Sequence, residues 1–222
     1  SRLISDVSHE LRSPLARMQI AIGIANNKLN KDEKNTELER IKLEADKMNC
    51  MLTELLDYSK IDNLQDENLD ELIDIKKLFL NLVDDAKFEA EQVGVTIATK
   101  LPENVFIKGS KLSLLSCFEN IVRNAIRYAN SIIKLTCYNN ETKNVISIII
   151  SDDGSGVPPE DINQIFDAFY RPELDRSRQS GGVGLGLSIA SKAVAAHDGR
   201  IWAENDQPKG FSIHIEFPLK PT

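Results

Sequence analysis

Cysteine is scarce in this 222-residue chain. Cys50, Cys117 and Cys137 are odd in number, form no C-x-x-C spacing and have no histidine nearby in sequence. Neither a disulfide framework nor a zinc site is expected, and reduced, buried thiols are the simpler reading. Histidine is equally rare, with His9, His197 and His214 alone. His197 and His214 lack metal-like neighbours and read as structural. Long clusters of Lys and Arg are missing too, and the net charge is −7, which argues against a surface that tracks nucleic-acid phosphates. No apolar run reaches the roughly 18 residues that span a bilayer, so these residues are not expected to be membrane-bound. No signal peptide is expected within these residues, and no repeat or low-complexity tract is seen in them. The chain starts at Ser1, without Met, inside a helical pattern, as expected of a piece of something longer.

What is present is ordinary globular material, 41% hydrophobic and 27% charged, enough for one large or two modest cores. Leu3, Val7, Leu11, Leu15, Met18, Ile22, Ala25 and Leu29 recur at the spacing of one helical face. After a polar turn, Leu38, Ile41, Ala45, Met48, Leu52 and Leu55 alternate at gaps of three and four, a coiled-coil seam. Two such helices form an antiparallel hairpin that leaves its seam half covered, and a second copy completes it as a four-helix bundle. A homodimer through residues 1–62 is therefore expected. The acidic stretch "DNLQDENLDE" interrupts the pattern and reads as a linker or the start of a new domain, with boundaries at 63–74.

Residues 75–222 change character. A helix over 75–93, short strands in "VTIATKL" and "VFIKG", a helix from Ser110 to Ala129, a strand hairpin turning at Asn139-Asn140, a helix over 185–197 and two closing strands predict a two-layer α/β sandwich. The whole chain is thus α+β, a helical hairpin followed by that sandwich.

Three local patterns bear on chemistry. "DDGSG", Asp152 to Gly156, follows directly on an apolar strand, where Gly154 and Gly156 permit a sharp turn and close approach, although D-G is also a common turn pair. "GGVGLG", containing Gly182, Gly184, Leu185 and Gly186, leads into a helix whose N-terminal amides suit an anion, yet it lacks the lysine of a Walker loop. Asn120 and Asn124 stand four apart on one helix face with Arg127 beyond them. Amide oxygens suit a hard cation such as magnesium and a guanidinium suits phosphate, although a solvated polar face fits two asparagines equally well.

Taken together and in this order, the three resemble the ATP-binding fold shared by histidine kinases, gyrase-type topoisomerases, Hsp90 and mismatch-repair ATPases, the GHKL type. "SHELRSPL", Ser8 to Leu15, selects the first of these. The chain resembles the sensor histidine kinases of two-component systems over essentially its whole length, and "SDVSHELRSPLARMQIAI", "FEAEQVG", "ENIVRNAIRYAN" and "DAFYRPE" look most like the Cpx-type envelope-stress sensors.

That resemblance implies a dimerisation and phosphoacceptor hairpin, a hinge and a catalytic ATP-binding domain. It makes His9 the phosphoacceptor, Glu10 the adjacent acid, and Ser13, where Thr or Asn is usual, the residue that orients water for dephosphorylating the partner. Asn124, with Asn120 beside it, becomes the magnesium ligand. Arg127 meets phosphate and Tyr128 borders the nucleotide. Asp152 accepts the adenine amino hydrogen. Gly154, Gly156, Gly182, Gly184, Leu185 and Gly186 belong to the glycine loops. Phe169 and Arg171 belong to the aromatic segment at the base of the lid.

The implied activity is ATP-dependent autophosphorylation on His9 and transfer to an aspartate of a response-regulator receiver domain, with ATP and Mg2+ as cofactors. The parent protein is expected in the inner membrane, with this portion in the cytoplasm. A nucleotide-binding scaffold without catalysis and a GHKL-type ATPase remain the alternatives.

Overall fold

The computed structural model describes residues 2–27, 30–62, 69, 71–172 and 184–219. Within α1 and α2, side chains are described at Val7, at 11–27, at 31–56, and at Tyr58 and Ser59.

Helices α1 (Arg2–Asn27) and α2 (Lys31–Asp62) pack along each other as the expected hairpin. The buried seam differs from the one read in the sequence. On α1 it runs through Leu11, Pro14, Met18, Ala21 and Ala25, and on α2 through Glu37, Ile41, Glu44, Met48, Met51 and Leu55. Gaps of three and four persist, but two seam positions carry glutamates. Leu15, Ile22, Leu38 and Leu52, read as part of the seam, are about half exposed in the single chain, on the side that a second copy is expected to cover. Glu44 is tolerated because Arg17 reaches it across the hairpin at 2.8 Å and Lys47 at 2.9 Å. The hydrogen bond from Arg17 foremost, with Lys47 adding to it, holds the Glu44 carboxyl below its usual range.

Strand β1 (Glu71–Asp74) occupies residues expected in the linker and pairs antiparallel with β3 (Phe106–Gly109). Between them lie α3 (Ile75–Gln92), capped by the Asp74 carboxylate on the Lys77 amide, and β2 (Thr96–Lys100). Ser110 caps α4 (Lys111–Tyr128) as expected, its hydroxyl accepting from the Ser113 amide. Strands β4 (Ile132–Asn140) and β5 (Val145–Asp152) follow, then a single 3-10 turn at Gln164–Phe166, α5 (Gly186–Ala196), β6 (Arg200–Asn205) and β7 (Phe211–Pro218). The β4–β5 turn falls at 141–144 rather than at Asn139-Asn140, which still pair with Ile146 and Val145. Asn140 Oδ1 accepts from the Lys143 amide, and Asn144 takes the positive φ of 53° that closes the turn.

Five strands form one sheet in the order β2-β4-β5-β7-β6, parallel only between β2 and β4. Alternation places Ile133, Leu135 and Cys137 of β4, Ile146, Ile148 and Ile150 of β5, and Ile213, Ile215 and Phe217 of β7 in the core. The helices α3, α4 and α5 supply the second layer, with the Phe79 and Phe118 rings 4.6 Å apart between them. This is the two-layer sandwich expected. His197, buried past the end of α5, accepts from the Ser110 amide at 3.0 Å through Nε2, while Nδ1 lies 2.7 Å from the Ala193 carbonyl. It ties the start of α4 to the end of α5. His214 stacks on Trp202, with ring centroids 5.1 Å apart.

Candidate functional site: a cavity between sheet, helices and hairpin

Three elements converge on a cavity of about 620 Å³, a size suited to a small-molecule ligand. The α4 helix contributes Asn120, Asn124, Arg127 and Tyr128 from successive turns, so the expected polar face does line a site. Asn120 Nδ2 donates to the Ser116 carbonyl at 2.8 Å, and its Oδ1 abuts Gly186, where a Cβ would lie 2.9 Å away.

The end of β5 contributes Asp152, buried at 7% exposure. Its Oδ1 accepts from the Gly154 amide at 2.8 Å, and Oδ2 has no hydrogen bond among the described residues. Burial pushes its carboxyl up to about 6; the Gly154 amide opposes this, while the charges of Asp153 and Asp206 add to it. Gly154 lies behind Asp152 rather than on the cavity wall, and it is glycine for a steric reason: a Cβ there would meet the Tyr128 carbonyl oxygen at 2.4 Å. Gly156 does line the cavity. The loop that follows is pinned by Asn205, which accepts from the Val157 amide at 2.9 Å and donates to the Val157 carbonyl at 2.7 Å.

The far wall is built by Tyr170, Arg171, Gly184 and Gly186. Phe169 does not line the cavity. It holds a positive φ of 65° and donates its amide to the Gly184 carbonyl at 2.9 Å, closing the chain back onto the glycine segment. Leu185 is fully buried in the core and anchors α5 instead of touching the cavity. Gly182 lies outside the described residues.

Sequence reading missed the hairpin's share in the wall. Asn49, Cys50, Thr53 and Glu54 of α2 line the same cavity, and Cys50 is exposed, against the expectation of a buried thiol. Nothing local in α2 announces this, because the contact is long-range. His9 and Glu10 lie on α1, with their side chains outside the described set. Counting back along the antiparallel helices from the Arg17–Glu44 pair brings the His9 backbone level with Leu52, among the α2 residues of the wall. Ser13, one turn on, accepts a hydrogen bond from Arg17 Nη1.

Comparison with known proteins agrees with this layout. Residues 109–221 match the family described as histidine kinase-, DNA gyrase B- and HSP90-like ATPase, and residues 1–64 match the His Kinase A phospho-acceptor domain. The chain belongs to the histidine kinases. This histidine kinase is 40% identical over 220 residues to the sensor histidine kinase CpxA of Escherichia coli strain K12, covering 98% of this chain and 47% of that protein. It therefore spans about half the length of that relative. Among solved structures, the Acinetobacter baumannii histidine kinase AdeS superposes with a TM-score of 0.71 at 20% identity, over 96% of this chain and 98% of that one. Full-length ShkA in complex with AMPPNP superposes with a TM-score of 0.68 at 22% identity, over all of this chain and 46% of that one. The Cpx-type resemblance and the α+β class both stand. Among the described residues, no helix is long and apolar enough to cross a membrane.

Proposed function

We propose that the cavity binds ATP with Mg2+ and that this enzyme phosphorylates its own His9, then passes the phosphoryl group to an aspartate of a response-regulator receiver domain. The observation that carries this reading is the shared wall: α4, the end of β5 and the α2 stretch level with His9 all line one cavity.

In this reading the Asp152 carboxylate accepts from the adenine amino group, with Tyr128 beside the base. Arg127 and the amides at the start of α5 meet phosphate. The oxygens of Asn124 and Asn120 suit a magnesium ion that takes most of its ligands from phosphate and water. Two amide oxygens are too few to hold the ion by themselves, so it is expected to arrive with the nucleotide. When bound, it neutralises phosphate charge.

The neutral His9 imidazole attacks the γ-phosphorus, a nitrogen–phosphorus bond forms, and the bond to the β-phosphate oxygen breaks with its electron pair leaving on ADP. Glu10 holds the second ring nitrogen and takes up proton character as the first becomes bonded. Ser13 serves the reverse task, orienting water against the phosphorylated regulator. The exposed leucines of the hairpin support a homodimer through residues 1–62. The sensor relatives support a parent anchored in the inner membrane, with this portion in the cytoplasm.

Incubation with γ-labelled ATP and Mg2+ tests the reading. Acid-labile, base-stable label is expected on the chain and none on His9→Gln. Label that persists on that variant, or phosphate released only to water, contradicts it.

A further inference from the structure

The nucleotide half of the cavity is assembled from two elements that do not share a hydrogen-bonded strand pair at the point where they meet. Arg127 and Tyr128 sit at the C-terminal end of α4, and Asp152 sits at the end of β5. Tyr128 is followed by only three residues before β4 begins at Ile132. The β4–β5 ladder reaches Ile133 opposite Asp152, and the short link between Tyr128 and that ladder is held by the side chain of Asp153, to which neither the motif reading nor the proposed nucleotide contacts give a role.

The Asp153 carboxylate gathers that connection onto itself. Oδ1 accepts from three consecutive backbone amides, Asn130 at 2.8 Å, Ser131 at 2.9 Å and Ile132 at 3.1 Å. Oδ2 accepts from the Ser131 hydroxyl at 2.6 Å. The main chain adds to the clamp, with the Asp153 amide donating to the Ile132 carbonyl at 3.3 Å and Asn130 Nδ2 donating to the Asp153 carbonyl. Donors converging on one carboxylate favour its charged form, and the Ser131 bonds foremost hold the group below the usual carboxylate range. The consequence reaches the cavity on both sides. Across the clamp the Tyr128 carbonyl lies so close to Gly154 that no Cβ fits between them, and on the other side the Asp153 charge faces its neighbour Asp152, as does that of Asp206.

We infer that Asp153 is a positioning residue of the nucleotide site, holding the α4 end that carries Arg127 and Tyr128 at a fixed distance from Asp152. The inference rests on the nucleotide reading of the cavity. A loop cap of purely structural value would lower stability and leave the ligand affinity of the folded protein alone. A positioning residue sets that affinity and can be replaced by a side chain that keeps the acceptor.

The test measures ADP affinity by calorimetry on the 222-residue chain, with half-saturating ATP and maximal rate of autophosphorylation measured alongside. Asp153→Ala loses every side-chain tie and is expected to weaken ADP binding roughly tenfold, about 1.4 kcal/mol. Half-saturating ATP should rise in step while the maximal rate holds. Asp153→Asn keeps Oδ1 for the three amides and is expected to restore affinity to within about twofold of the parent. The paired variant Asn130→Ala with Ser131→Ala loosens the clamp from the other side with Asp153 intact, and carries the test even if Asp153→Ala does not fold; about threefold weaker binding is expected of it. Parent-like ADP affinity in folded Asp153→Ala, or in the paired variant, overturns the inference, as does an Asp153→Asn protein no better than Asp153→Ala. Absence of ADP binding by the unmodified chain overturns the nucleotide reading itself and the inference with it.

Discussion

The ammonium of Lys192 on α5 lies 3.7 Å from the centroid of the Tyr58 ring on α2. A helix of the sandwich is thereby tied to a helix of the hairpin, beside a cavity that both domains line. In the proposed reaction the ATP-binding domain must move relative to the hairpin to reach His9, and this contact would then restrain it. A cation over an aromatic face contributes about 0.5–1 kcal/mol at exposed sites, and releasing it shifts the population of the free arrangement roughly two- to fivefold. Tyr58→Leu is expected to raise the initial rate of autophosphorylation by that factor. A rate equal to or below the parent's removes the contact from the list of restraints.

Nucleotide binding should depend on pH through Asp152. Its carboxyl is raised to about 6, so the ionised form that accepts best from adenine is lost as pH falls through that value. ADP affinity is expected to drop between pH 7.5 and 5, and Asp152→Asn should flatten the profile. Stability runs the other way. A carboxyl raised above its unfolded value contributes stability in full below the unfolded value, about 3.9, and loses it as pH rises through the folded one. Asp152→Asn should therefore stabilise the nucleotide-free protein at pH 8, by about 1–2 kcal/mol once solvent screening is allowed for. Thermal melts at pH 4 and pH 8 give the sign directly.

Two glycine replacements should have opposite effects. Gly154→Ala puts a methyl 2.4 Å from a backbone carbonyl that cannot yield without moving the end of α4, and a loss of about 1–3 kcal/mol is expected, with weakened ADP binding. Gly23→Ala, within α1 where a Cβ meets nothing within 4 Å, should stabilise the hairpin by about 0.5–1 kcal/mol. Chemical denaturation of the two variants side by side checks both.

The proposed dimer gives the outward leucines a role. Leu38 is 57% exposed and Leu52 47%, and in the proposed bundle both are covered by the second copy. Leu38→Glu with Leu52→Glu is expected to sediment as a monomer at concentrations where the parent is a dimer. A dimer that survives both charges places the interface elsewhere.

One thiol of three should react readily with a disulfide reagent in the native protein. Cys50 is exposed, whereas Cys117 and Cys137 are buried, and burial pushes the Cys137 thiol up to about 12 and the Cys117 thiol up as well. Because Cys50 lines the cavity, saturating ADP is expected to slow its modification. Rates equal with and without ADP disconnect it from the site.

Much of the sandwich was legible because its signals are local. The Ser110 cap, the period of α4 and the alternation of isoleucines in β5 each arise within a dozen residues, and Asn120, Asn124, Arg127, Tyr128 and Asp152, singled out from the sequence, all line one cavity. The hairpin seam was harder, because Glu37 and Glu44 hold buried positions and Glu44 is compensated from another helix by Arg17, which no periodicity reports. Strand β1 was hidden by its acidic flanks, since of its four residues only Ile73 is buried. The Asn139-Asn140 pair resembled a tight turn, yet cross-strand pairing carries both strands past it. The share of α2 in the cavity wall depends on how two distant segments pack and leaves no trace in either one.

That mixed wall has a pharmacological consequence. A compound that fills only the space between α4 and the glycine segment contacts features belonging to the shared ATPase fold, so it will tend to strike gyrase-type and chaperone-type enzymes as well. One that extends to Thr53 and places a mild electrophile beside Cys50 engages residues from the phosphoacceptor hairpin. Selectivity would then come from the junction between two domains instead of from the nucleotide pocket alone, and occupancy would wedge the hairpin against the sandwich and block the movement that the proposed transfer requires.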